Sequence, residues 1–279
     1  VIEGDFYGDG GGTFRLRHAY GRWNGITAGQ TWTSFGSFVG DTPTLDFTGP
    51  VGRAGINRQA QLRYSVNHFH IALEAPNGAL SGNSFDGSID PDNIVLDADR
   101  KDSLPDLTLR YEAGTGSVNY ATGAVLRQVA FDDGDMDDST LGWGAFAGGN
   151  VELGSATTLR ALVSGGEGIG TYMNNSLAPA AYRVGDELET ITGWGGTVGL
   201  SQKVGIGAIN VAYSYVESDW DEALDDGLSV SGRDEERELM YLNYIWSPTE
   251  RMTYGVEVAH AMRTTVAGDD GAAPEFRVA

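Results

Sequence analysis

Arginines spaced along the chain at Arg15, Arg17, Arg63, Arg110, Arg127 and Arg160 are the residues best suited to recognition chemistry. Of the 18 basic residues in these 279, only Lys101 and Lys203 are lysines. A guanidinium presents parallel N–H donors that match a carboxylate, so several on one surface select small anions and two facing clusters suit dianions. A row of weak sites also permits conduction better than one deep pocket does. Glu3, Asp5, Glu112 and Glu257 share the polar face with these arginines. They leave a second role open, in which the arginines pair within a wall and merely hold it together.

Catalytic signatures are missing. The chain has no GxGxxG, P-loop, GxSxG or HExxH, and the lack of cysteine excludes disulfides and Cys-based zinc or redox centres. No cofactor is expected, and an enzyme reading lacks a nucleophile and base. His68 and His70 share a face beside a turn without a third ligand. Asp132, Asp133, Asp135, Asp137 and Asp138 form an oxygen-rich run, as do Asp219, Asp221, Glu222, Asp225 and Asp226. Neither has EF-hand spacing, so both read first as solvated loops, with a weak Ca²⁺ site or divalent bridging to lipopolysaccharide as alternatives.

The net charge of −21 argues against nucleic acid as a partner. That charge is unevenly placed. Segments 8–12, 35–55, 76–106, 130–140, 165–188, 218–238 and 264–275 hold 30 acids and 6 bases, which leaves 9 acids and 12 bases for everything else.

The elements that must carry the arginines alternate with period two. Ala60, Leu62, Tyr64 and Val66 oppose Gln59, Gln61, Arg63 and Ser65, and Leu159, Ala161 and Val163 oppose Thr158, Arg160 and Ser164. In residues 13–20, Phe14, Leu16 and Tyr20 oppose Arg15 and Arg17. Such runs predict strands near 1–7, 13–22, 25–34, 56–66, 68–75, 107–113, 117–129, 141–153, 157–164, 190–203, 207–217, 238–247, 251–263 and from 275. Many have the nine to eleven residues that a tilted strand needs to cross a bilayer.

Short and long connections take turns along the chain. Asn24-Gly25 and Asn67-His68 are short, whereas 35–55, 76–106, 130–140, 165–189, 218–237 and 264–274 are long. This asymmetry belongs to outer-membrane barrels, which have short periplasmic turns, long extracellular loops, an apolar exterior and a polar lumen. Trp23, Trp32, Trp143, Trp194, Trp220 and Trp246 all lie near strand ends, as girdle residues do. Arginine on the lipid face would cost about 2–4 kcal/mol at the midplane, which also turns the arginine face inward. The competing architecture is a soluble β-sandwich: a secreted acidic all-β protein that binds Ca²⁺ or glycans.

Segment 35–55 is the candidate constriction loop. It is punctuated by Gly and Pro, carries only Asp41 and Asp46 as acids, and contains Leu45, Phe47 and Val51, which a loop in bulk water would not need. A surface loop or a contact to a neighbouring subunit is the alternative.

With Ile2-Glu3-Gly4-Asp5-Phe6-Tyr7-Gly8, Phe14-Arg15-Leu16-Arg17-His18-Ala19-Tyr20-Gly21 and Ala28-Gly29-Gln30-Thr31-Trp32, the chain resembles the DcaP-like trimeric porins of Gram-negative outer membranes. Thr44-Leu45-Asp46-Phe47-Thr48-Gly49-Pro50 and Asn57-Arg58-Gln59-Ala60-Gln61-Leu62-Arg63-Tyr64 extend the likeness, which thins between about 76 and 235. The resemblance implies a 16-stranded transmembrane β-barrel over 1–279, a homotrimer in lipid and lipopolysaccharide, and passive uptake of small dicarboxylates. It also implies that Arg15, Arg17, Arg53, Arg58 and Arg63 form a basic wall facing the constriction loop. Arg58 departs from the alternation and needs a bulge to face inward. Only about 14 strands are visible and no terminal aromatic residue is present, so the chain is expected to lack N-terminal strands and the end of its last strand. A barrel closed with 14 is the alternative.

Overall fold

The computed structural model describes residues 1–8, 11–55, 57–76, 101 and 103–279. It is built almost entirely of antiparallel strands: β1 (Ile2–Gly8), β2 (Thr13–Trp23), β3 (Ile26–Trp32), β4 (Arg58–Val66), β5 (Phe69–Glu74), β6 (Asp106–Thr115), β7 (Val118–Asp132), β8 (Asp137–Leu153) and β9 (Thr157–Glu167). After β10 (Ala181–Val184) and β11 (Glu187–Thr190) come β12 (Thr192–Val204), β13 (Gly207–Ser218), β14 (Asp234–Thr249), β15 (Met252–Thr265) and β16 (Asp270–Val278). Fourteen of these form one sheet in chain order, while β10 and β11 pair only with each other. β1 and β16 are its two edges, and among the described residues no ladder joins them.

Each of the fourteen overlaps an expected strand, but β16 begins at Asp270 rather than 275. The β7–β8 and β15–β16 connections, expected to be long at 130–140 and 264–274, are only residues 133–136 and 266–269, because the strands extend into them. The Asn24-Gly25 turn shows why the joints are short, since φ values of 47° and 83° suit a two-residue hairpin whose twist matches the flanking strands. Most of the expected long segment 76–106, residues 77–100 and 102, lies outside the described residues.

Burial runs inside out. On β14, Leu242 is 52% exposed while its neighbour Asn243 is 2% exposed. The same holds along the sheet, with Leu62, Tyr64, Val163, Val198 and Val258 outermost and Gln59, Gln61, Ser164, Thr197 and Ser214 buried. A water-soluble sheet does the opposite, and a barrel wall in lipid does this. No helix is long and apolar enough to cross a membrane.

Two further expectations need correction. Trp220 is buried rather than in a girdle, because the 165–189 and 218–237 segments are not bare loops. They contain the β10–β11 hairpin and a short helix, α1 (Asp221–Asp225), which bury Tyr182, Ile191, Trp220, Leu228 and Val230 together. Elements this short leave no readable period. Trp32 also turns away from the girdle and meets His18 at 5.3 Å and Phe38 at 5.6 Å.

The other correction concerns β2. The β1–β2 ladder shifts register between Glu3 and Gly4, leaving Arg17 as the additional residue of a bulge. Beyond it the parity reverses, so that His18, Tyr20 and Arg22 join Arg15 and Arg17 on the inner face. Strict alternation had put Tyr20 outward with Phe14 and Leu16.

Candidate functional site

Residues 33–55 leave β3, run across the inner face of the sheet and return to β4. Arg110 of β6 donates to Gly36 O at 2.6 Å, Asn150 of β8 to Val39 O at 2.9 Å and Tyr241 of β14 to Thr42 O at 2.9 Å. Strands distant in the sheet order thus meet one loop, and the sheet must wrap around it. On the return leg, Ser164 of β9 donates to Gly52 O at 2.9 Å. Gly52 has φ +67° and lies so close to the Tyr215 carbonyl oxygen that a Cβ would collide with it.

Two buried carboxylates pin this loop. Glu74 of β5 accepts from the Thr33 hydroxyl at 2.6 Å, the Ser34 amide at 2.6 Å and the Thr108 hydroxyl at 2.8 Å. Glu257 of β15 accepts from the Thr44 hydroxyl at 2.8 Å, the Leu45 amide at 2.9 Å and Asn243 at 2.9 Å, and pairs with Arg277 at 2.8 Å. A second inward segment clamps the return leg: Asn174 donates to Thr48 O at 3.2 Å and Pro50 O at 2.7 Å. Beside it the Tyr172 hydroxyl lies 3.0 Å from Asp106 and 3.2 Å from Glu74. Burial, then the Glu74 and Asp106 carboxylates, raise its pKa well above the ordinary phenol range.

The loop leaves a cavity of about 420 Å³ against β2, β3, β4 and β6. Arg22, Arg63 and Arg110 line it, as do Glu3, His18, Trp32, Phe38 and Glu112. Arg63 donates to Ser34 Oγ at 3.5 Å, and Arg22 lies over the Tyr20 ring at 5.1 Å. Neither forms an ion pair among the described residues. Arg110 has Glu112 at 3.6 Å as well as its bond to Gly36.

The other expected site residues divide by partner. Arg15 pairs with Asp5 at 2.7 Å, and Arg17 with Glu3 at 2.7 Å and Asp5 at 3.2 Å. Arg53 is buried inside the loop in a pair with Asp41 and donates to Thr48 O at 3.1 Å; burial pushes its pKa down to about 10. Asp46 accepts from Arg277 at 3.0 Å. Arg127 is fully buried, 3.5 Å from Asp106 and over the Tyr172 ring at 5.0 Å, so it braces the second segment. Arg160 donates to Ser201 Oγ at 2.6 Å. Arg58 needs no bulge: its ladder with β3 is regular, and its guanidinium stacks on Trp32 at 3.9 Å with Nε 3.4 Å from His18.

Sequence reading missed Arg22, hidden by the bulge, and Arg277, Glu74 and Asn174, whose partners are far along the chain. A signal for the Asn174 segment was present: Ile169, Tyr172, Met173 and Leu177 are apolar residues that a solvated loop would not need.

Asp132, Asp133, Asp135 and Asp137 do not converge on a metal position. Asp132 pairs with Lys101 at 3.0 Å, and Asp133 with Arg183 at 3.0 Å. Asp133 Oδ1 also accepts the Asp135 and Met136 amides, and its pKa is lowered first by backbone N–H donors. Among the described residues no group of three or more acids or histidines could hold an ion. His70 bonds to Ser65 Oγ at 2.8 Å and His68 to Glu112 O at 3.0 Å.

A sequence model of the DcaP outer membrane protein family matches residues 1–184. No curated protein sequence matches the chain. Among solved structures, the outer membrane channel DcaP of Acinetobacter baumannii superposes with a TM-score of 0.82 at 23% identity, covering 99% of this chain and 78% of that one. An anion-selective porin from Comamonas acidovorans gives 0.57 at 13% identity, covering 99% and 80%. The trimer form of OmpT, an outer membrane protein of Vibrio cholerae, gives 0.53 at 14% identity, covering 96% and 79%.

Proposed function

Because this chain belongs to the DcaP outer membrane protein family and is a protein of the bacterial outer membrane, we propose that it is a porin that passes small carboxylate anions, dicarboxylates among them. The secreted acidic Ca²⁺- or glycan-binding reading gives way to that location. The cavity carries the proposal, for Arg22, Arg63 and Arg110 converge there against Glu3 and Glu112 alone among the carboxylates. Preorganised N–H donors beside a narrowed path favour an anion without holding it deeply.

In this reading residues 35–55 are the constriction, and Arg58, Arg63, Arg22 and Arg110 are its basic wall. Arg15 and Arg17 stand at the margin of that wall, partly neutralised by Glu3 and Asp5, while Arg160 lines the lumen further on. Closure of the sheet as a 16-stranded barrel belongs to the same reading and is supported by the likeness in fold to the DcaP channel and the anion-selective porin. A homotrimer is proposed on the OmpT likeness. In the same reading, contact with lipopolysaccharide would fall on the outward band where Trp143 and Trp194 donate to Glu167 and Glu217 at 3.3 and 3.1 Å.

The test is the reversal potential of the purified protein in planar bilayers under a KCl gradient, with a dicarboxylate then added. Anion preference and concentration-dependent block are expected, and both should weaken in Arg22→Gln/Arg63→Gln. Cation preference with no block would refute the proposal.

A further inference from the structure

A second group of arginines faces inward at the long-loop end of the sheet. The ladders pair Val216 with Arg237 and Arg237 with Arg263, so the inner face continues from β13 across β14 to β15. Asp234 sits between the two guanidiniums, 2.6 Å from Arg237 and 3.3 Å from Arg263. The carboxylate side chain is only 15% exposed, whereas Arg237 and Arg263 are 39% and 60% exposed. One half-buried acid therefore holds two guanidiniums by part of their donor sets. The remaining donors are open to a recess of about 200 Å³ that Arg233 also lines, with Asn175 and Ser176 across from it. Gly271, opposite Arg263 on β16, presents no side chain against the guanidinium stem.

The surroundings sharpen the charge. Glu236 and Glu238 alternate with Arg237 on β14 and take the opposite face, where they accept from the Tyr215 and Tyr213 hydroxyls at 2.8 Å each. The same strand is acidic outward and basic inward. In a long-loop end rich in acids, the two guanidiniums of Arg237 and Arg263 share the single carboxylate of Asp234, which leaves this recess a local positive well.

We propose that the recess where Arg237 and Arg263 flank Asp234 is an anion-capture site for small carboxylates at the outer mouth, loaded before the Arg22–Arg63–Arg110 cavity. This rests on the channel reading above. The site raises the local anion concentration where the loops otherwise repel anions. It neighbours the constriction directly, because Asn174, next to Asn175, clamps the Thr48 and Pro50 carbonyls.

The experiment adds succinate to either side of the reconstituted protein at low salt and counts blocking events per unit concentration. In Arg237→Gln/Arg263→Gln the association rate from the long-loop side should fall at least about threefold, with a smaller change from the short-turn side. The difference should shrink as salt is raised. The lysine pair Arg237→Lys/Arg263→Lys should keep most of the rate, which a purely structural role would not predict. If the double variant fails to insert, Arg263→Gln alone carries the test, since that side chain is largely exposed. An unchanged rate from the long-loop side, or an equal fall from both sides, overturns the capture site and leaves the channel reading standing. Absence of block from either side in the unaltered protein overturns both.

Discussion

Arg15 and Arg17 sit on the same strand as Arg22, yet the two groups differ in what faces them. The first two meet Glu3 and Asp5 at 2.7–3.2 Å. Arg22 and Arg63, on the same wall with Thr27 of β3 between them, meet a tyrosine ring and a serine hydroxyl. A guanidinium with a carboxylate of its own is a wall fixture whose charge is spent locally, whereas one held by neutral groups, or sharing a single carboxylate with another, keeps charge for whatever passes. Counting arginines on a face therefore overstates the basic surface, and the partners decide which of them count.

The contrast is sharpest where the pairing is buried. Arg53→Ala would leave Asp41 enclosed without its cation, at a cost of about 3–5 kcal/mol. Release of the loop should appear as larger single-channel conductance and as a lower temperature at which the folded gel band converts to the unfolded one. A conductance equal to that of the unaltered channel would mean that the loop does not set the pore width.

Removing charge from the unpaired class comes next. Arg22→Gln/Arg63→Gln should lower the anion-to-cation permeability ratio by roughly tenfold, read from reversal potentials. The charge-neutral pair Asp5→Asn/Arg15→Gln should change that ratio by less than about twofold, because the local field nearly cancels there. Equal effects of the two variants would erase the distinction between fixtures and free charge.

Smaller again is Asn174→Ala, which removes the clamp on Thr48 O and Pro50 O. A loss of about 1–3 kcal/mol is expected, with noisier open-channel current as the return leg loosens. The smallest effect belongs to the outer face. Trp194→Phe gives up an exposed bond to Glu217 and should cost below about 1 kcal/mol, seen as little or no shift in thermal unfolding.

Much of the architecture was legible from the chain alone. Lateral alternation is a local property, fixed by which of two neighbouring side chains lipid accepts, so Leu242 and Asn243 declare their faces without reference to anything distant. Most of the extent of the fourteen strands and the short turns follow from that period and from Gly and Asn placement. The same period lists arginines on the face opposite the large apolar side chains, but it leaves out Arg22, because the bulge at Arg17 reverses the parity.

Partners were not legible, because they are made by contacts that span the sheet. Glu257 holds Thr44 across 213 residues of sequence, and Asn174 reaches Pro50 across 124. Nothing in the local pattern of either end specifies the other. The sequence by itself determined an inverted sheet with guanidiniums on its polar face. Tertiary structure alone decided which were neutralised, since an ion pair exists only when the wrapped sheet brings a carboxylate within bonding distance.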